Sequence, residues 1–262
     1  MDQTAGQSAV VAGPVKAAHR LGVRFVKAYH RLEIALPAES VTEPVLFVAN
    51  HGFGGIFDLN VFAAFAAFEE LRLDRPVTAL THQLAWTLRV GQFIEPLGAR
   101  PAGQHEAEAA FARGQHVLVM PGGDVEAGKS FSDRNKIVFS GRRGFARLAL
   151  EAGVPVVPIV TAGAGESALV LSDGQRLARA LRVDSSLRMK ALPLSISIPW
   201  GVNVGVAGMA PYLPLPTKLR TTVLDPIRAL PTESAAEFGD RVEATMQSAL
   251  DSMTAGRRPI LG

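Results

Sequence analysis

Residues 45–50, Val-Leu-Phe-Val-Ala-Asn, run apolar without alternation and stop at Asn50. An unbroken β-branched and aromatic run of this length predicts a strand buried on both faces. The signature returns at 116–121 (HVLVMP) and 154–160 (VPVVPIV). Between and after these runs the apolar spacing lengthens to a helical period in 59–71 (LNVFAAFAAFEEL), 104–114 (QHEAEAAFARG) and 141–153 (GRRGFARLALEAG). Gly114 and Gly153 close the last two. Residues 78–103 predict a helix and a short strand ending near Phe93 and Ile94, and 221–227 (TTVLDPI) a final strand. A last helix opens on Ser234 and Glu237 as a capping box and turns Phe238, Val242, Met246, Ala249 and Met253 inward. Strands alternating with helices over short connections predict one α/β domain, residues 37–262, with a largely parallel central sheet flanked by helices.

Residues 14–36 predict an amphipathic helix with Pro14 near its first turn, preceded by a short tail. On a helical wheel Lys16, Arg20, Arg24, Lys27 and Arg31 share an arc of roughly 80°. Ala18, Leu21, Phe25, Ala28, Tyr29 and Leu32 take another side. A basic stripe beside an apolar face suits a helix lying on an anionic membrane. It suits equally a helix packed on the core with a solvated basic edge. Residues 191–217 contain no charge and five prolines, which excludes a regular spanning helix. They read as irregular backbone lining an apolar groove or resting at a lipid interface, or as loops and edge strands over the core.

Composition sharpens this picture. Hydrophobic residues make up 48% and charged residues 19% of 262, with mean hydropathy +0.19. No stretch has the length and apolarity of a transmembrane helix, and the N-terminus lacks the basic start and apolar core of a secretory signal. The net charge of +3 is modest and suggests no nucleic-acid partner. There are no cysteines, which removes thiol nucleophiles, disulfides and thiolate metal sites, and no metal site is expected. So apolar a chain is expected to meet lipid or a partner.

Two segments carry candidate chemistry. Gly123 to Ser130 spells G-x-x-x-x-G-K-S, the phosphate loop of nucleotide hydrolases. Such a loop needs a helix starting at its Lys-Ser, and the following FSDRNKIVFSG is poor helix material. A nucleotide hydrolase stands as the minor alternative. The second segment is NHGFGGIFD. His51 leaves a buried strand, and Asp58 opens the next helix after Gly52, Gly54 and Gly55. In α/β sheets functional groups gather at the carboxyl ends of strands. A neutral imidazole there can deprotonate an alcohol if a carboxylate fixes its tautomer. A strand-end His can also simply hydrogen-bond to its turn.

The chain resembles the glycerolipid and lysophospholipid acyltransferase superfamily, most closely its monoacylglycerol/diacylglycerol acyltransferase-like branch. Four blocks in order carry this: LFVANHGFGGIFD, GQFIEPLGARPAG, VLVMPGGDVEAGK and AGVPVVPIVTAGAGE, with GRRGFARLALEAG between the last two. Together they cover roughly residues 45–170. Six residues separate His51 from Asp58 where the superfamily usually has four. Asp124-Val125 stand where an Arg is common, which passes phosphate recognition to Arg100, Lys129, Arg142 or Arg143, each otherwise a solvated surface cation.

The resemblance implies acyl transfer from acyl-CoA, or acyl carrier protein, to a hydroxyl of a lyso-glycerophospholipid. His51 would be the general base and Asp58 its orienting partner. Gly122, Gly123, Glu126 and Arg142 would shape the acceptor site, with Arg100 and Lys129 as further substrate contacts. Acyl-CoA would be a co-substrate, and no cofactor is implied. Lysophosphatidic acid is the first acceptor expected, monoacylglycerol or a glycolipid the second. A catalytically silent lipid-binding protein of the same fold is a further reading. The expected place is peripheral, on the cytoplasmic face of a membrane.

Overall fold

The computed structural model describes residues 3–53, 58–87, 90–181, 192–205, 207 and 212–262. In chain order, α1 (Gln3–Tyr29) and β1 (Glu33–Ala35) lead to β2 (Leu46–Ala49), α2 (Leu59–Leu71), β3 (Val77–Thr81), α3 (Gln83–Thr87) and α4 (Gly91–Ile94). Then come β4 (Ala99–Pro101), α5 (Gln104–Ala112), β5 (His116–Val119), α6 (Gly123–Ala127), α7 (Gly144–Ala152) and β6 (Val156–Ala162). β7 (Leu169–Ser172), α8 (Gln175–Ala180), β8 (Leu194–Ser197), β9 (Gly201–Val204), β10 (Arg220–Val223) and α9 (Ala235–Thr254) complete the described strands and α-helices.

Seven strands form the central sheet in the order β1-β10-β6-β2-β5-β3-β4. The five from β6 to β4 are parallel, and β10 joins antiparallel to β6. Alternation along the central strands builds both faces. Leu46 and Val48 of β2 and Val156 and Val160 of β6 pack with α5, α7 and α9. Phe47 and Ala49 of β2 and Val157 and Ile159 of β6 point to the opposite face, against Ala64, Ala67 and Phe68 of α2. Burial on both faces explains why these strands read as unbroken apolar runs. The α9 capping box forms as expected: Ser234 Oγ accepts from the Glu237 N–H and Glu237 accepts from the Ser234 N–H.

Four expectations change. The first helix starts at Gln3, carries Pro14 inside it and ends at Tyr29. Arg31 then takes a φ of 47°, and residues 33–35 become a strand because their backbone pairs with β10. The face α1 buries also differs: Val23, Val26 and His30 are buried, whereas Leu21 and Phe25 are exposed. The strand expected near Phe93 and Ile94 is the helical turn α4, and the strands of this region are β3 and β4, after Gly98 turns the chain at a φ of 93°. Within 191–217, whose residues 191, 206 and 208–211 lie outside those described, β8 and β9 pair with β7 in a separate antiparallel sheet.

Candidate active site

β2 and β5 are hydrogen-bonded neighbours, so the turns leaving their carboxyl ends lie side by side. Beyond β2, Asn50 is buried and mimics one more ladder pair with β6. Its Nδ2 donates to the Thr161 carbonyl at 3.1 Å, and its Oδ1 accepts from the Thr161 N–H at 2.9 Å. Asn60 Nδ2 donates to the Asn50 carbonyl at 2.7 Å, tying the start of α2 to the same point. Gly52 is held by space: a Cβ there would stand 2.5 Å from the Ala164 Cβ.

This frame fixes the predicted pair. His51 Nδ1 lies 2.6 Å from Asp58 Oδ2. Asp58 Oδ1 accepts from the Asn60 N–H at 2.9 Å, so the same side chain caps α2. A carboxylate only accepts, so Nδ1 carries a proton, and in the neutral ring Nε2 keeps a lone pair. The His51 side chain is 18% exposed, enough to be reached by a bound molecule. Burial alone would depress the imidazole pKa, but the hydrogen bond and charge of Asp58, helped by Glu126, outweigh it and hold the ring above its ordinary value. Gly54 and Gly55 lie outside the described residues.

The β5 turn grips the backbone of His51. Glu126 on α6 is fully buried. Its Oε2 accepts from the His51 N–H at 3.0 Å and its Oε1 from the Val138 N–H at 3.1 Å. Lys129 Nζ donates to the His51 carbonyl at 3.0 Å and the Lys136 carbonyl at 2.8 Å, and lies 3.7 Å from Glu126 Oε1. Burial pushes the Glu126 carboxyl pKa up and the Lys129 ammonium pKa down, each charge opposing the other's shift. The phosphate-loop arrangement does not form. α6 ends before Gly128 instead of a helix starting at Lys129, and the ammonium turns inward onto carbonyls. Gly122 lets this packing close, since a Cβ there would meet Glu126 Oε2 at 2.2 Å.

The remaining predicted cations also have partners. Arg142 donates to the Pro121 carbonyl at 3.2 Å, to the Gly122 carbonyl, and to Asp124 Oδ1 at 2.9 Å, bracing the turn that contains Gly123. Arg143 pairs with Asp240 and, at 2.9 Å, with Glu243 on α9. Arg100 donates to its neighbour's carbonyl, Ala99 O, at 2.7 Å and lies 3.6 Å from Glu95. The structure thus gathers Gly122, Glu126, Lys129 and Arg142 about the turn beside His51. It leaves Arg100 on the outermost strand, β4.

Three contributors went unforeseen. Asn50 and Asn60 could have been flagged as polar residues buried at a strand end and a helix start. Tyr212 was legible only as an aromatic of the uncharged 191–217 segment, expected with Trp200 to line an apolar groove or rest at a lipid interface. Its ring packs on Phe53 with centroids 5.7 Å apart, and Ala168 and Val170 complete the cluster. Burial, opposed by a hydrogen bond with Ser167 and reinforced by the charge of Asp58, pushes the Tyr212 phenol up to about 12.

The mostly parallel sheet flanked by helices, taken with the comparisons that follow, is that of the glycerolipid acyltransferase superfamily. The diacylglycerol acyltransferase family model matches residues 24–251, and the chain belongs to this family. It is 30% identical over 251 residues to an uncharacterized protein of Mycobacterium leprae (strain TN), covering 90% of this chain and 64% of that one. Thus the chain spans under two thirds of this relative's length. It is 29% identical over 157 residues to the Gallus gallus "DGAT1/2-independent enzyme synthesizing storage lipids", covering 60% of this chain and 41% of the relative. Its fold is similar to the crystal structure of the 1-acyl-sn-glycerophosphate acyltransferase PlsC from Thermotoga maritima. The TM-score is 0.53 at 15% identity, over 92% of this chain and 80% of PlsC.

Proposed function

We propose that this chain transfers a fatty acyl group from acyl-CoA to a hydroxyl of a glycerolipid at the cytoplasmic face of a membrane. The observation that carries the reading is the 2.6 Å contact of His51 Nδ1 with Asp58 Oδ2, which frees Nε2 to act as a base. In the proposed step, Nε2 takes the acceptor's hydroxyl proton as that oxygen bonds to the thioester carbonyl carbon. The tetrahedral adduct collapses with cleavage of the C–S bond, and the imidazolium returns the proton to the departing thiolate. An ester and a free thiol result, with no covalent enzyme intermediate. Acyl carrier protein presents the same thioester and is the alternative donor. Acyl-CoA acts as a co-substrate, so no resident cofactor is invoked.

The acceptor reading divides between lysophosphatidic acid and a neutral monoacylglycerol or glycolipid. One observation favours the neutral acceptor. Arg100, Lys129, Arg142 and Arg143, the four cations expected to meet a phosphate, are all engaged by carbonyls or carboxylates of the protein itself. The diacylglycerol acyltransferase family and the chicken storage-lipid enzyme point the same way.

The test is release of CoA thiol from palmitoyl-CoA with each acceptor, for wild type and His51→Ala. The chain has no cysteine to react with the thiol reagent. Acceptor-dependent release, lost in His51→Ala, is expected. Release that persists in the variant, or none with either acyl-CoA or acyl carrier protein, would sink the reading.

A further inference from the structure

The small sheet β7-β8-β9 is built inside out. Leu169, Ile196 and Val202 stand in register across the three strands, and all are exposed. Val202 is 67% exposed. The opposite face is buried and largely polar: Ser195, Ser197 and Asn203 lie there, with Asn203 Nδ2 donating to Ser197 Oγ at 3.0 Å. A half-buried antiparallel sheet in water shows the reverse polarity, apolar in and polar out. The three strands contain no charged residue, and Trp200 at the β8–β9 turn is 55% exposed.

This face continues onto α1 through named contacts. The Leu213 N–H donates to the Ile198 carbonyl at 2.8 Å, and Tyr29 Oη donates to the Pro214 carbonyl at 2.9 Å. Tyr29 stacks on Phe25 with centroids 4.8 Å apart, and Leu21, one turn earlier, is 63% exposed. Beside this apolar ridge lie Lys16, Arg20 and Arg24, all exposed, with no carboxylate within 4.0 Å among the described residues. Apolar surface edged by unpaired cations complements a bilayer interface bearing anionic headgroups. It suits a second copy of this chain less, because self-association would bring like charges together.

We propose that the outer face of β7-β8-β9, together with the Leu21–Phe25 ridge of α1, docks the protein on an anionic phospholipid surface. The docked face lies close to the chemistry. Val170 of β7 packs from the inner side with Phe53 and Tyr212, and Phe53 is two residues from His51. One sheet layer therefore separates the docked face from the His51 turn. The assignment deepens the acyl-transfer reading by naming its partner surface, yet it is tested without any acyl donor, so either can fail alone.

The experiment is sedimentation with phosphatidylcholine vesicles containing or lacking phosphatidylglycerol. It compares wild type, Ile196→Ser/Val202→Ser and Arg20→Ser/Arg24→Ser, each checked for an unchanged melting curve. The apolar pair is expected to weaken binding by on the order of a hundredfold. The arginine pair should cost roughly twentyfold, and only on anionic vesicles. Trp200 emission should shift to the blue on vesicle addition, a change absent from a Trp200→Phe variant. Binding equal to wild type in both double variants overturns the proposal. So does a wild-type dimer in solution that Ile196→Ser/Val202→Ser dissociates, which would make the face a protein interface.

Discussion

Lys129 holds His51 by its main chain: Nζ donates to the His51 carbonyl at 3.0 Å while Glu126 takes the His51 N–H at 3.0 Å. Both peptide groups flanking the proposed base are thus committed to one buried acid and one buried ammonium. This gives a group expected to meet substrate a positioning geometry instead.

Lys129→Met therefore leaves Glu126 buried without its cation and frees the His51 carbonyl. Removing one partner of a buried pair costs about 3–5 kcal/mol. Urea denaturation is expected to show a loss of that order, together with a kcat at least tenfold lower at nearly unchanged KM. A rise in KM confined to phosphate-bearing acceptors, with stability intact, would return Lys129 to a substrate contact.

The pH profile follows from the raised pKa of His51. The proposed catalysis needs the free base, so kcat/KM should climb as pH rises through a value above the ordinary 6.5. Asp58→Asn removes the group that raises it, so the acidic limb should move to lower pH while the plateau falls roughly 10²–10⁴-fold. Linkage runs the other way for folding. A raised folded pKa lends stability that is fully present below the unfolded value near 6.5 and lost as pH rises through the folded one. A limb that stays in place in Asp58→Asn would mean that another group controls it.

Gly122→Ala tests the contact above Glu126. The backbone there is helical, with φ −60° and ψ −32°, so the new methyl strains nothing locally. It would, however, meet Glu126 Oε2 at 2.2 Å and Cβ at 2.3 Å. Overpacking of this kind costs about 1–3 kcal/mol. Melting and thiol release should fall together, and an alanine variant as stable and active as wild type would show that Glu126 can move.

Glu166 and Arg257 form a second buried pair, both side chains 2% exposed, with contacts of 2.8 and 3.0 Å. Burial would raise the Glu166 carboxyl, but the Arg257 hydrogen bonds, the Ile260 N–H and the Thr217 hydroxyl hold it below the usual range. Its stabilisation is present above the unfolded value near 4.5 and lost as pH falls through the folded one. Arg257→Met should cost about 3–5 kcal/mol at pH 7. The deficit should shrink in acid, and denaturation curves at pH 7 and pH 3 measure both.

The central sheet was legible because strands buried on two faces leave a continuous apolar run, and 46–49, 116–119 and 156–162 all do. His51 and Asp58 were legible because a strand end and a helix cap are positions with local signatures. Burial was harder to read on α1, which has two apolar sides: Val23 and Val26 pack inward while Leu21 and Phe25 face out. Nothing in the helical spacing ranks one above the other. β3 was missed because VTALT is short and half polar. The chain at 93–94 curls because Pro96 and Gly98 terminate it, which outweighs the β propensity of Phe and Ile. Within 191–217 the Leu-Ser-Ile-Ser alternation was present, but its inverted polarity makes the strand intelligible only beside its partners. The direction of Lys129 depends on carbonyls 78 and 7 residues away, which no local pattern encodes.

Asp58 spends one oxygen on the α2 N-terminus and the other on His51. Folding and chemistry thus constrain the same atom pair. A descendant of this chain without the proposed reaction would still be held to a capping side chain here, Asp, Asn, Ser or Thr, or weaken the start of a helix. The imidazole is held by Asp58 Oδ2 and its main chain by Glu126 and Lys129, but it caps no helix. Without the proposed acyl transfer, then, position 58 would keep a capping residue, while position 51 would be free of any demand from the helix.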